Sequence, residues 1–313
     1  MFYKSKTESD ILHEVIYGLS KTRKELPSKL FYDEKGSKLF DEITHLREYY
    51  PTRTEMQIME ENIEEIGSLL GEGTVLVELG SGSSQKIRLL LDNIPGLAAY
   101  IPVDISEKHL MNSAQKLAED YPSLDIIPLV ADYTKNFHLP QINKSYDHLA
   151  AYYPGSTIGN FKPEEAKKFL GRIATLIGKN GGMIIGVDLK KDTKTLEAAY
   201  NDSQGVTAQF NLNILNRINS KTGADFNIGK FHHCAFYNKD AGRIEMHLIS
   251  DEYQNIRLNG NVIELKKNDD ITTEYSYKYS FEEFRKLVAD YFEVRNVWTD
   301  SRKLFSIQYL RVK

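Results

Sequence analysis

A chain of 313 residues can bury a sizeable core, and 41% hydrophobic with 27% charged residues is an ordinary globular balance, which excludes a disordered or fibrous protein. Its 40 Lys and Arg are interspersed with 44 Asp and Glu, leaving a net charge of −4 and no basic block, so no nucleic-acid footprint is expected. Met1 to Lys6 run into charged sequence without an apolar leader, no apolar run approaches the ~18 residues of a membrane span, and the single cysteine, Cys234, excludes an intrachain disulfide. A cytoplasmic protein acting on a small molecule, away from membranes, is the expectation.

Short apolar runs alternate with amphipathic stretches, the rhythm of βαβ units. The run Val75-Leu76-Val77-Glu78-Leu79 predicts a strand closed by Gly80 and Gly82, and residues 84–93 follow as a helix with Ile87, Leu90 and Leu91 on one face. Residues 100–104 predict a second strand, after which Ser106 is placed to cap a helix carrying Leu110, Ala114 and Leu117. Residues 126–130 predict a third strand ending at Asp132, residues 147–153 a fourth, and residues 183–189 a fifth, with a helix opened by Pro163 before the last of them. Residues 191–222 then read as largely helical and 232–278 as an inserted β-rich element. Residues 281–291 return to an amphipathic helix, and 293–299 with 304–312 predict a terminal hairpin joined at Asp300-Ser301. The parallel-sheet domain is therefore discontinuous: residues 61–190 plus 278–313 are expected to form it, and 1–60 plus 191–277 a second, smaller domain.

A glycine turn between strand and helix lets the backbone approach a nucleotide-like ligand closely. The dinucleotide fingerprint requires a third glycine where this chain has Gln85, and it places no acid like Glu78 on the strand before the turn. An acid there suits a cationic, unphosphorylated ligand, which describes S-adenosylmethionine better than a pyrophosphate. Asp104 ends the next strand, where a carboxylate can accept both ribose hydroxyls, and Asp132 after the third strand can accept from an adenine amino group, with Tyr133 beside it for stacking. Taken singly, Asp104 and Asp132 are more often helix caps or turn formers. Together with Glu78, Gly80 and Gly82 they fall at the carboxyl ends of the strands, where open α/β sheets bind ligands.

Further motifs are Leu26-Pro27-Ser28-Lys29-Leu30-Phe31-Tyr32-Asp33, Glu48-Tyr49-Tyr50-Pro51-Thr52-Arg53, Gly155-Ser156-Thr157-Ile158-Gly159-Asn160, Gly205-Val206-Thr207-Ala208-Gln209-Phe210-Asn211, Arg243-Ile244-Glu245-Met246 and Thr273-Glu274-Tyr275-Ser276. In these the chain resembles the histidine-specific Nα-methyltransferases of ergothioneine biosynthesis, from about Leu26 to the terminal hairpin. The resemblance implies an α/β fold: a class I methyltransferase Rossmann-like sheet with a smaller substrate-binding domain formed by the N-terminus and the insertion. It implies cofactor contacts at Tyr32, Gly80, Lys86, Asp104, Asp132 and Tyr133, the last replacing the family's frequent phenylalanine while keeping a ring. Amino-acid contacts are implied at Tyr49, Gly155, Asn160, Tyr200, Glu274 and Ser276, with Met246 lining the side-chain pocket and Tyr32 beside the reacting amine. It further implies three successive methyl transfers to histidine, giving the trimethylated betaine hercynine, by an enzyme expected to be a monomer.

These residue types suit that chemistry on their own terms. The amide of Asn160 and the hydroxyl of Tyr200 can donate to a substrate carboxylate, while Glu274 can accept one imidazole N–H and Ser276 can serve the other nitrogen. Each motif alone also has a plain reading, Tyr49-Tyr50-Pro51 as a packed loop and the Glu274-to-Tyr279 alternation as a half-exposed strand. The competing enzyme is an N-methyltransferase of another aromatic amino acid or amine such as tryptophan, against which Glu274 and Met246 argue. An idle cofactor-binding subunit and a nicotinamide dehydrogenase rank below it. His232-His233-Cys234 has the residue types of a metal ligand set, but neighbours on a strand point to opposite faces, so no metal is assigned and Cys234 is read as packing.

Overall fold

The computed structural model describes residues 8–82 and 85–313; the absent leader expected at Met1 to Lys6 and the helix start expected at Ser84 lie outside the described residues. The chain divides into two compact units, one made of the described residues up to Tyr50 with Lys191–Tyr277, the other of Pro51–Lys190 with Lys278–Lys313. The boundary expected at residue 60 falls instead at residue 50, because Tyr50–Leu70 is one continuous helix. Its Ile58, Met59 and Ile66, none of them exposed, join Leu76, Tyr152, Ile184 and Phe305 in the core of the second of these units.

That core surrounds an eight-stranded sheet. Thr74–Leu79 lies at its centre with every residue buried, as expected of a parallel strand covered on both faces. Ala99–Asp104 pairs with it on one side and His148–Tyr153 on the other, both parallel. Gly182–Asp188 follows His148–Tyr153 in parallel, then Phe305–Val312 antiparallel, and Phe292–Thr299 closes that edge. The order of strands along the chain reverses between Thr74–Leu79 and His148–Tyr153, and an open α/β sheet has its ligand crevice at the strand ends of such a reversal. This is the class I methyltransferase arrangement, with one antiparallel strand near the edge.

Two local expectations change. The third strand is two short pieces, Asp125–Ile126 and Leu129–Val130, because Pro128 has no N–H to give to the ladder. Ser106 makes no side-chain cap; its own N–H donates to Asp104 Oδ1 at 2.8 Å. Where the chain leaves and re-enters this unit, Leu189 and Tyr279 form a parallel bridge, and the Lys278 ammonium meets the Asp188 carboxylate at 2.7 Å with both side chains 1% exposed. Removing one partner of such a buried pair strands the other charge, a loss of roughly 3–5 kcal/mol.

The other unit is built on a four-stranded sheet in the order Lys24–Glu25, Asp270–Tyr277, Arg243–Ser250, Phe231–Asn238, the first pairing parallel and the rest antiparallel. Helix Val206–Thr222 runs between positive-φ glycines, Gly205 and Gly223, and buries Phe210, Asn211, Ile214 and Ile218. It also secures the segment before helix Glu34–His45: Asn213 donates to Asp33 Oδ1 at 2.9 Å, and the Arg217 guanidinium donates to the carbonyls of Lys29 and Leu30. Asp33 caps that second helix by accepting the Gly36 N–H at 2.7 Å. Among the described residues, no helix is long and apolar enough to cross a membrane.

Candidate functional site

The predicted site residues divide between the two units. Glu78, Gly80, Gly82, Lys86, Asp104, Asp132, Tyr133, Gly155 and Asn160 fall in the unit of the eight-stranded sheet, whereas Tyr32, Tyr49, Tyr200, Met246, Glu274 and Ser276 fall in the other.

In the first group, Gly80 ends the central strand at φ +79°, a conformation that side-chain-bearing residues rarely adopt, and donates its N–H to Val103 at 2.8 Å. A Cβ there would stand 3.4–3.5 Å from the ring and hydroxyl of Tyr133, so glycine keeps the backbone open beside that ring. The Gly82 carbonyl is 3.0 Å from His109 Nε2, while its N–H helps hold the Asp104 carboxylate. Asp104 is half-buried; burial raises its pKa, and the N–H groups of Ser106, Ile105 and Gly82 oppose that rise. Asp132 accepts from the N–H of Thr134 at 3.1 Å and from its hydroxyl, the local turn that aspartate favours, while burial pushes the Tyr133 phenol up. An open glycine backbone with carboxylates at the next two strand ends fits an adenosyl ligand.

Glu78 was expected to face the ligand as an anion. In the structure it is 3% exposed, it accepts a hydrogen bond from the Tyr100 hydroxyl, and burial pushes its carboxyl up to about 8 against the opposing influence of Tyr100 and Lys86. The folded value lies above the ordinary value of 4.5, so this group contributes stability below about pH 4.5 that is lost as pH rises through about 8. Ligand-free wild type should therefore lose on the order of 2 kcal/mol more than Glu78→Gln between about pH 6 and about pH 9. Denaturant titrations at both ends of that range measure it, and parallel pH slopes for the two proteins would refute it.

Lys86 and Gly155 share a partner that sequence reading missed. Glu55, 1% exposed, forms an ion pair with Lys86 and accepts the Gly155 N–H at 2.8 Å. A Cβ on Gly186 would come within 2.5 Å of Glu55 Oε1, which makes room for the carboxylate a reason for glycine there. The Gly155 loop itself is tightly wound: Gly155 and Ser156 both have positive φ, Ser156 Oγ accepts the Asp188 N–H at 2.8 Å, and Asn160 ends a short 3-10 turn, Thr157–Asn160.

In the second group, aromatic rings link three tyrosines. Tyr32 lies edge-on to Phe40 and Phe210 at 5.7 and 5.8 Å, Phe40 meets Tyr49 at 6.3 Å, and Tyr49 meets Tyr200 at 6.5 Å. The Tyr200 hydroxyl donates to Ser276 Oγ at 2.8 Å, and Glu274 stands opposite Met246 across the sheet. Phe40 and Phe210 carry no polar group to mark them in sequence, though Phe210 lies inside a motif already noted. His232 and His233 take separate partners, Asp251 at 2.6 Å and the Tyr200 carbonyl at 2.8 Å.

Residues 11–312 match the family described as histidine-specific methyltransferase, SAM-dependent. The chain is 38% identical over 296 residues to the histidine N-alpha-methyltransferase of Mycolicibacterium smegmatis, covering 92% of this chain and 90% of that protein. It is 39% identical over 271 residues to the histidine N-alpha-methyltransferase of Mycobacterium tuberculosis, covering 85% and 83%. Against ergothioneine biosynthesis protein 1 of Neurospora crassa the identity is 32% over 278 residues, covering 84% of this chain and 30% of that protein. The cofactor is S-adenosylmethionine, and the chain belongs to the family of histidine-specific, S-adenosylmethionine-dependent methyltransferases.

Proposed function

We propose that this chain transfers methyl groups from S-adenosylmethionine to the α-amine of free L-histidine, three times in succession, giving the betaine hercynine. The observation that carries the reading is the strand Asp270–Tyr277, whose register sets Glu274 opposite Met246 and Ser276 opposite Ile244, with Ser276 bonded to Tyr200. An acceptor at Glu274 and a hydroxyl at Ser276 match a ring that carries one N–H and one bare nitrogen. A site built on hydrogen bonds to its substrate rejects analogues without them by roughly 10⁴-fold, since its own polar groups are then stranded.

Bound S-adenosylmethionine supplies a methyl group on a cationic sulfur. The substrate amine must meet it unprotonated. The α-amino reference of about 7.7–8.0 is that of a peptide terminus and the amine of a free amino acid lies above it, so only a minor fraction is unprotonated near neutral pH, though no strong base is needed to form it. The residues therefore act chiefly by orientation, which is worth on the order of 7–11 kcal/mol when reacting atoms are held at attack distance. In this reading Asp104, Asp132, Tyr133, Gly80, Gly82 and Lys86 serve the cofactor, while Glu78 lies buried in the strand before the turn, bonded to Tyr100. Asn160 and Gly155 are the proposed substrate contacts of the unit with the eight-stranded sheet, and Tyr200, Tyr49 and Tyr32 those of the other. The enzyme is proposed to work as a monomer and in the cytoplasm, the compartment being in keeping with its single cysteine.

The discriminating experiment offers histidine and tryptophan separately with labelled cofactor. Histidine is expected to take the label at a kcat/KM at least about 10³-fold above tryptophan. Equal or reversed preference would replace this reading with that of a methyltransferase for indole-bearing amino acids.

A further inference from the structure

The strand that carries Glu274 is irregular at one place. Thr272 stands opposite His247 and Glu274 opposite Met246, so the register slips by one residue at Thr273. Side chains alternate between faces along a strand, and residues directly opposite across a ladder share a face. In unbroken register Thr273 would oppose Met246, and Glu274 would oppose Glu245 on the face of His247. The extra residue turns Glu274 and Ser276 together onto the Met246 face, and such bulges re-aim side chains beside functional sites.

A buried network holds the slip in place. Thr273 Oγ1 donates to Asn211 Oδ1 at 2.7 Å, and Asn211 Nδ2 donates to the His247 carbonyl at 3.0 Å. The same amide lies 2.8 Å from His233 Nδ1, whose other ring nitrogen is 2.8 Å from the Tyr200 carbonyl. Asn211 is 0% and Thr273 1% exposed, so a lost partner here would find no water to replace it. Burial lowers the His233 pKa, which favours the neutral ring with one nitrogen to accept from Asn211 and one N–H to give to Tyr200. Asn211 closes the Gly205-to-Asn211 motif, for which the ligand contacts above leave no role.

We infer that the Thr273 bulge, locked by Asn211, is a specificity-determining device that positions Glu274 and Ser276 for an imidazole; this rests on the proposed reaction with histidine. Thr273 and Asn211 are positioning residues that act through their neighbours. The test compares wild type, Thr273→Val, which keeps the shape and removes the donor, and Thr273→Ser, which restores it. Cofactor affinity and melting temperature are measured beside the kinetics. Thr273→Val is expected to raise the histidine KM about tenfold or more and to narrow the preference for histidine over tryptophan, with cofactor affinity within about twofold of wild type. Thr273→Ser should return the histidine KM to within about twofold. An unchanged histidine KM in Thr273→Val, a parallel loss of cofactor affinity, or no recovery in Thr273→Ser would overturn the inference. Absence of histidine turnover in wild type would instead overturn the functional reading, and this inference with it.

Discussion

Glu274→Ala is expected to lower kcat/KM for histidine by on the order of 10²-fold while leaving S-adenosylmethionine affinity within about twofold, since a hydrogen bond to a charged group contributes roughly 1.5–3 kcal/mol. The separation follows from the fold. Glu274 belongs to the four-stranded sheet, whereas the glycine turn and Asp104 belong to the other compact unit. Steady-state kinetics with histidine and calorimetry with the cofactor measure the two halves independently. Unchanged histidine kinetics would remove Glu274 from the pocket, and a matching loss of cofactor affinity would mean that the substitution damages more than the pocket.

Asp104→Ala is expected to weaken S-adenosylmethionine binding about 100-fold or more. Two effects add. The ribose hydroxyls lose a charged acceptor, and the N–H groups of Ser106, Ile105 and Gly82 lose the carboxylate that gathers them at the end of Ala99–Asp104. Asp104→Asn keeps the shape and one acceptor, so it should fall between wild type and alanine. Calorimetric affinity equal to wild type in Asp104→Ala would show that the ribose is held elsewhere.

The parts of this architecture that are legible in sequence are those set by local periodicity. The run from Val75 to Leu79 is apolar because both faces of its strand are covered, and Gly80 follows because the backbone turns there at positive φ. Pro128 could have warned that the third strand breaks, since proline cannot donate to a ladder. Tertiary pairing is not legible in the same way. Glu55 lies three and four residues before Ile58 and Met59, which marks it for the buried face of its helix, but nothing local names Lys86, 31 residues on, as the partner it finds there. The bulge is hidden for a different reason. Thr-Thr-Glu-Tyr-Ser-Tyr alternates acceptably in either register, so which face receives Glu274 depends on tertiary partners of Thr273 such as Asn211, contributed by a helix far away in sequence. Glu78 illustrates a third limit: its position before the turn is legible, while the Tyr100 hydroxyl and the burial that raise it to about 8 are not.

The most direct measurement is mass spectrometry of L-histidine incubated with the enzyme and S-adenosylmethionine. The account predicts mono-, di- and trimethylated histidine in succession, all carried on the α-nitrogen, with the trimethylated betaine as the end product. Histidine recovered unmodified, or methylated on a ring nitrogen, would contradict it.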